Sequence, residues 1–253
     1  MIHTIITPQF ATVIVAGFIG GFVDSIAGGG GLITIPALLT TGLPPTVVLG
    51  TNKVAASFGS GTAAWRYGHA GHVQRIAWPM AAVAFATSLL GAKLALALPE
   101  HALHRIIIAA LISVAVLMLL RRDFGKEAKP WPFGRHHYWA VASLSAAIIG
   151  FYDGMIGPGT GSFLAFAYVV FLGTDLISAT ANTKLVNFAT NIAAATLFAI
   201  GGHVRWDYAL IMGPCILIGA FVGSSTALHV GPRLIRPVFL VVVIFLVVKL
   251  MFV

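Results

Sequence analysis

Charged residues are scarce in this chain: they make up 9% of its 253 residues, with 15 Lys and Arg against 7 Asp and Glu. A soluble domain of this length needs a charged surface to stay dispersed, so the composition excludes a soluble fold. The single cysteine, Cys215, lies in an apolar run, where we expect it to be a small packing residue. A serine elbow, a zinc-protease motif, a P-loop and a dinucleotide fingerprint are also missing. We therefore expect neither an enzyme, nor a nucleotide-driven pump, nor a bound cofactor.

Apolar residues are abundant instead, since 58% of the chain is hydrophobic and its mean hydropathy is +0.97. Long apolar runs of this kind are typical of a multi-pass protein of the cell membrane. The net charge is +8, but the basic residues lie mainly between the apolar runs. This distribution fits cytoplasmic loops and anionic lipid, and it does not favour a nucleic-acid partner.

The apolar segments follow the order long, short, long, long, long, and this order occurs twice. They cover residues 10–27, 32–41, 47–65, 78–98 and 103–120 in the first half, and 139–156, 162–172, 176–200, 208–229 and 234–252 in the second. Each short segment has only half of the ~20 residues that a helix needs to cross a bilayer. The pattern predicts an all-α membrane protein with about eight transmembrane helices and two half-length helical elements.

The two halves also share polar and glycine residues at a nearly constant separation of 129 to 132 positions. The matched residues are Gly21-Phe22-Val23-Asp24 with Gly150-Phe151-Tyr152-Asp153, Lys53 with Lys184, Gly71-His72-Val73 with Gly202-His203-Val204, and Gly91 with Gly223. Ordered matches of this kind indicate an internal duplication, with a first repeat at 1–121, a basic cytoplasmic linker at 122–137 and a second repeat at 138–253. Secondary transporters are commonly built in this way, with the solute site between the repeats.

The relative orientation of the repeats depends on the glycine cluster that precedes each short segment. Re-entrant hairpins would give inverted repeats with both termini outside, whereas kinked spans would give parallel repeats with both termini inside. The distribution of Lys and Arg does not separate these arrangements. The N-terminal tail carries neither residue, which favours an outside location and therefore inverted repeats.

Consecutive glycines do not hold a helix, and unwound backbone at membrane depth must be satisfied by protein, water or solute. We therefore expect helix breaks that line a cavity, formed by Gly28, Gly29, Gly30 and Gly31 and by Gly157, Gly159 and Gly161. Each break precedes a new helix, whose free N–H groups suit an anion. The alternative is close helix packing through small residues.

Four ionisable residues fall at predicted membrane depth, one acid and one base in each repeat: Asp24, Lys53, Asp153 and Lys184. Charge in this position is costly and commonly marks a functional site. In this hypothesis the two lysines attract an anion, while the two aspartates act as counter-ions or bind a coupling ion, either a proton or sodium. The alternative is a structural ion pair within each repeat, Asp24 with Lys53 and Asp153 with Lys184.

Amides and hydroxyls surround each lysine: Thr51, Asn52 and Ser57 in the first repeat, and Asn182, Thr183, Asn187 and Asn191 in the second. Such donors, together with an ammonium group, replace the hydration shell of an oxyanion, although hydrogen bonds between membrane helices use the same residue types. The histidine pairs His69/His72 and His101/His104 have no cysteine or carboxylate cluster beside them, so we expect no metal site.

These motifs resemble those of the TauE/SafE family of membrane transporters, also called sulfite exporters. The resemblance covers essentially the whole chain and depends on residues 20–31, Pro36 and Thr51-Asn52-Lys53, and on residues 150–161 with Asn182-Thr183-Lys184. It implies a bacterial inner-membrane protein that moves a sulfur-containing anion, such as sulfite or an organosulfonate, generally outward. The order of Thr and Asn before the lysine is reversed in the second repeat, which puts strict equivalence of the half-sites in doubt.

The sequence thus leads to the hypothesis of a secondary transporter that exports a small sulfur-containing anion. Its partners would be the anion, the lipid bilayer and a coupling ion, and a homo-oligomer is compatible with the sequence. The alternatives are an anion channel with the same basic pore, a transporter of another small anion, and a membrane scaffold or enzyme without transport.

Overall fold

The computed structural model describes the backbone of residues 8–120 and 135–230, and the side chains of residues 9–113 and 138–230. Within these ranges the chain forms helices joined by short connections, without a β-strand. The predicted segment at 234–252 and most of the predicted linker lie outside the described residues. The all-α prediction is confirmed for the part of the chain that the structure describes.

The helices of the described ranges lie close to the predicted apolar segments. They are α1 Pro8–Ala27, α2 Gly31–Leu39, α3 Pro45–His69, α4 Ala77–Ala97, α5 Glu100–Leu120, α6 Arg135–Met155, α7 Thr160–Phe166 with a π-helical extension Ala167–Phe171, α8 Leu176–Ile200 and α9 Trp206–Val230. One helix extends into the predicted linker: α6 begins at Arg135, so the last three residues assigned to the linker are helical.

Four of the described helices have the length and composition to cross a membrane: Gln9–Ala27, Ala77–Ala97, Leu176–Ile200 and Trp206–Val230. Thr160–Phe171 is a shorter apolar helix. α3 has 25 residues but is not in this set, because polar residues and glycines occupy much of its length and lower its hydropathy. The figure of about eight transmembrane helices stays a prediction.

The first glycine cluster reverses the direction of the chain. Gly28 and Gly29 have φ angles of +75° and +101°, which favour glycine. After them α2 folds back on α1, so that Thr34 lies against Gly20. A continuous helix would place these two residues roughly 20 Å apart. The first cluster therefore forms the tip of a helical hairpin.

The second glycine cluster forms a similar tip between α6 and α7. Gly157 and Gly159 have φ angles of +93° and +77°. The ring of Phe163 on α7 packs edge-on against Tyr152 on α6, with 5.6 Å between the ring centroids. Both predicted helix breaks are thus present, and each is a hairpin tip and not a kink within one span.

The two hairpin tips meet in the interior of the protein. The backbone of Gly28 lies directly against that of Gly161, and a Cβ on either glycine would overlap the backbone of the other tip. Close by, the Ser162 hydroxyl donates a hydrogen bond of 3.1 Å to the carbonyl of Ala27. The carbonyl of Ala27 at the first tip is therefore satisfied by a side chain of the second half.

Helices α3 and α8 run antiparallel beside the tips. Thr51 near the start of α3 accepts a hydrogen bond of 2.9 Å from the backbone N–H of Arg205, just beyond the end of α8. In the same way Asn182 near the start of α8 accepts one of 2.8 Å from the N–H of Gln74, just beyond the end of α3. The donors are 131 positions apart, as are the acceptors, so the same contact occurs twice with the halves exchanged.

Close approach of other helices depends on glycine. α9 packs on α1 with Gly223 against the carbonyl of Phe22, and α4 packs on α6 with Gly91 against the carbonyl of Phe151. A Cβ on either glycine would overlap that oxygen. Lipid provides no hydrophobic force that joins helices, so van der Waals contact between such smooth surfaces contributes much of the association.

We expect Gly91→Ala and Gly223→Ala each to lower the free energy of unfolding by about 1–3 kcal/mol, because the added methyl groups force two backbones apart. Gly68→Ala is the matched control. Gly68 is also helical, but the nearest atom to a Cβ there is 3.8 Å away. Thermal unfolding in detergent should show a loss for the first two variants only; equal melting temperatures for all three would contradict this account of the packing.

Candidate functional site

Two ion pairs connect the halves of the protein. Lys53 Nζ lies 2.8 Å from Asp153 Oδ1, and Lys184 Nζ lies 2.9 Å from Asp24 Oδ2. The alternative of an ion pair within each repeat is therefore wrong, because each lysine binds the aspartate of the other half. The hairpin tips meet between the antiparallel helices α3 and α8, so each lysine reaches the tip contributed by the opposite half.

The ammonium group of Lys53 is buried beside the second hairpin tip. Only 2% of its side chain is exposed, as for Asp153. Lys53 Nζ also donates to Asn191 Oδ1 at 3.2 Å, so two of its three N–H groups have partners. Asp153 Oδ1 receives the ammonium, whereas Asp153 Oδ2 is buried and has no hydrogen-bond partner among the described residues.

The second ion pair has a different environment. Asp24 Oδ2 binds Lys184, and Asp24 Oδ1 accepts a hydrogen bond of 3.1 Å from the N–H of Gly30. Both carboxylate oxygens are thus engaged, although 21% of the Asp24 side chain is exposed. Asp24 connects the first hairpin tip to α8, and the two half-sites are not equivalent.

A small polar cavity lies where the tips, α3 and α8 converge. Its walls are glycine backbone, three charged side chains, three amides and two hydroxyls: Gly29, Gly30, Gly31, Gly157, Gly159, Gly161, Asp24, Lys53, Asp153, Asn52, Asn187, Asn191, Thr34 and Thr160, with Gly20, Ala56 and Ile216 completing the lining. The volume open to the centre of a water molecule is about 30 Å³. One water needs roughly 10–15 Å³ on this measure, so the cavity accommodates a few waters or one small oxyanion.

Twelve of the predicted site residues line this cavity, and six do not: Gly28, Thr51, Ser57, Asn182, Thr183 and Lys184. Thr51 and Asn182 bind the backbone beyond the opposite helix, and Ser57 donates to the carbonyl of Lys53. These three polar groups are engaged in structural contacts. Lys184 does not line the cavity itself, but it binds Asp24, which does.

Two lining residues, Thr34 and Thr160, were absent from the sequence prediction. The Thr34 hydroxyl lies 2.6 Å from Asn52 Oδ1 and orients that amide. Thr160 follows Gly159 directly, and its hydroxyl donates to the carbonyl of Gly157 at 2.8 Å. Both residues lie in the first turn of the helix after a glycine cluster, so hydroxyl residues at that place are the signal that could have found them.

Comparison with known proteins gives a consistent result. The family model described as "Sulfite exporter TauE/SafE" matches residues 13–250. The chain is 42% identical over 246 residues to "Probable membrane transporter protein ORF9" of Sinorhizobium sp, covering 95% of this chain and 92% of that protein. It is 35% identical to a "Probable membrane transporter protein" of Haemophilus influenzae, covering 93% of this chain and 92% of that protein. No solved structure matches the chain.

Gly157 is expected to leave room for the ion pair of Lys53. A Cβ at this position would lie 2.8 Å from Lys53 Nζ and 3.1 Å from Asp153 Oδ1. Gly202 is the matched control, because it also has a positive φ, of +73°, but nothing lies within 4 Å of its Cβ position.

Both alanine variants should lose about 1–2 kcal/mol of stability from backbone strain. Gly157→Ala should lose more than Gly202→Ala, because its methyl group also crowds the buried ammonium of Lys53 and the carboxylate of Asp153. Unfolding in detergent measures the difference, and equal losses in the two variants would show that Gly157 has no special relation to Lys53.

Proposed function

Because the chain belongs to the sulfite exporter TauE/SafE family of membrane transporters, we propose that it is a secondary transporter that moves a small sulfur-containing anion out of the cell. The observation that carries this proposal is the buried ammonium of Lys53 at the wall of an interior polar cavity. A charge at membrane depth is costly, and its retention is explained if it meets an anionic solute.

The polar groups of the cavity suit a tetrahedral or pyramidal oxyanion. Lys53 offers an ammonium, and Asn52, Asn187 and Asn191 offer amide groups. Charge-assisted hydrogen bonds to an ammonium are about twice as strong as neutral ones, so Lys53 supplies the main attraction. The amides and the glycine N–H groups replace water around the remaining oxygens.

Exchange of partners keeps the binding reversible. The four charged side chains around the cavity, Lys53, Lys184, Asp24 and Asp153, sum to zero, so the empty site holds no net charge that would trap an anion. In the empty protein Asp153 holds Lys53; when the anion arrives, the ammonium binds the anion and Asp153 is displaced or neutralised. This balanced arrangement favours a transporter over an anion channel, which would need an open pore with excess positive charge.

We also propose that the two halves are inverted repeats with the solute site between them. Equivalent contacts occur twice with the halves exchanged: the lysine–aspartate pairs, the bonds from Gln74 and Arg205, and the contacts of Gly91 and Gly223. The antiparallel course of the equivalent helices α3 and α8 supports inversion. Such repeats exchange conformations around a fixed site, which gives each side of the membrane access in turn.

The transport proposal is tested with the full chain in proteoliposomes. Counterflow of labelled sulfite should exceed that of protein-free liposomes and that of chloride. Lys53→Met should reduce it at least about tenfold, a loss of ~1.4 kcal/mol of binding. Lys93→Met is the matched control, because Lys93 is an exposed lysine of α4 outside the cavity. Absence of counterflow for sulfite, sulfate and methanesulfonate would contradict the proposal.

A second experiment separates a functional lysine from a structural one. Lys53→Met should cost about 3–5 kcal/mol of stability, because Asp153 is left buried and unpaired. Adding Asp153→Asn should restore stability, whereas adding Asp24→Asn should not, since Asp24 binds Lys184.

Transport should remain lost in the Lys53→Met, Asp153→Asn variant despite its recovered stability. Full sulfite counterflow in that variant would show that Lys53 serves only to balance Asp153 and has no role in anion binding.

A further inference from the structure

The two cavity aspartates differ in a way that their matching sequence positions do not suggest. Asp24 has both oxygens engaged, one by Lys184 and one by the N–H of Gly30. Asp153 has one oxygen on Lys53, while its other oxygen, Oδ2, is buried without a hydrogen-bond partner among the described residues. An ionised oxygen left buried without a donor loses its hydration and gains nothing in exchange, so binding a proton there relieves the cost.

We propose that Asp153 is the proton-binding residue of the transport cycle, and that Asp24 stays ionised as a fixed counter-ion. The proton binds Asp153 Oδ2 when the anion binds Lys53, and both leave together on the other side of the membrane. This inference rests on the proposed transport function and names the coupling ion of that same site.

The other charged groups around Asp153 are compatible with this role. Lys53 on α3 is its direct partner, and Lys184 on α8 is bound to Asp24. Among the described side chains, α4 contributes only the exposed Lys93 and α7 contributes no ionisable group. Tyr152, the neighbour of Asp153 on α6, donates its hydroxyl hydrogen to the carbonyl of Pro158. Lys53 is therefore the group that loses its counter-charge when Asp153 is protonated.

The charge balance links proton and anion. In the empty site the carboxylate of Asp153 neutralises Lys53. A proton taken from water on one side converts that carboxylate to a neutral acid and leaves the charge of Lys53 uncompensated; a bound monoanion restores the balance. On the other side the anion leaves, the proton returns to water and the ion pair forms again. Each ligand strengthens binding of the other, so the two move in the same direction. Net export then requires the anion's concentration ratio, inside over outside, to exceed the proton's concentration ratio, outside over inside.

Methanesulfonate is the informative probe, because its acid is fully dissociated and any proton that moves with it must be carried by the protein. Proteoliposomes of the full chain should take it up faster when the outside is acidic than at equal pH. A pH-sensitive dye inside should report protons entering in equal number with the anion. Sulfite, corrected for leakage through protein-free liposomes, serves as the second probe.

The Asp153→Asn variant imitates the protonated acid. Whatever counterflow it retains at equal pH, its uptake should not accelerate with the pH gradient and the dye should stay silent. Asp24→Asn is the matched comparison, and whatever rate it retains should show the same relative acceleration as the unmodified protein.

An infrared measurement tests the same assignment without transport. Adding methanesulfonate to the unmodified protein should produce the carbonyl band of a protonated carboxylic acid. This band should be absent from Asp153→Asn and present in Asp24→Asn. A purely structural role of Asp153 would leave the spectrum unchanged.

The outcomes separate the two proposals. Absence of counterflow for sulfite, sulfate and methanesulfonate in the unmodified protein would overturn the transport function and this inference with it. Counterflow without acceleration by the pH gradient, acceleration by a sodium gradient instead, or loss of the infrared band in Asp24→Asn in place of Asp153→Asn would overturn this inference alone.

Discussion

A lysine buried in the interior of a protein must have an opposite charge within reach, and the architecture of this protein follows from where that charge lies. Lys53 and Lys184 each find it on the hairpin tip or adjoining helix of the other half. The pairs therefore hold together the two tips and the antiparallel helices α3 and α8. Since breaking a buried pair costs several kcal/mol, these contacts strongly favour one arrangement of the halves over alternatives in which the tips separate.

Glycine serves two distinct purposes around this centre. At Gly91 and Gly223 it removes a side chain where two helix backbones touch, so the requirement is for space. At Gly157 the requirement is for both conformation and space: the positive φ turns the chain, and the missing Cβ leaves room for the ammonium of Lys53. The cavity is thus bounded by backbone, and its polar character comes from peptide groups as well as from side chains.

The duplicated pattern gives a site that is not symmetric. Asn52 lines the cavity, but the residue 131 positions later, Thr183, does not. Asn187 lines it with an amide where its counterpart is Ala56. The reversed order of Thr and Asn before the two lysines already indicated unequal half-sites. In the structure this inequality extends to the aspartates: both carboxylate oxygens of Asp24 have a partner, whereas Oδ2 of Asp153 has none among the described residues.

Much of the local structure was predictable from the sequence, because helix bounds and glycine breaks depend on hydropathy and on backbone preferences of neighbouring residues. The residues 10–27 and 176–200 were predicted almost to the residue, and the charged residues within or beside the predicted apolar segments were evident. The sequence did not reveal which aspartate each lysine binds, nor that Thr51 and Asn182 bind the backbone beyond the opposite helix and do not face the cavity. Those contacts join residues more than 100 positions apart, and they depend on the antiparallel packing of α3 and α8 and on the meeting of the two hairpin tips. A hydropathy pattern indicates where a helix runs and which charged residues fall within it. Only tertiary packing decides which side chain of another helix each charged residue contacts.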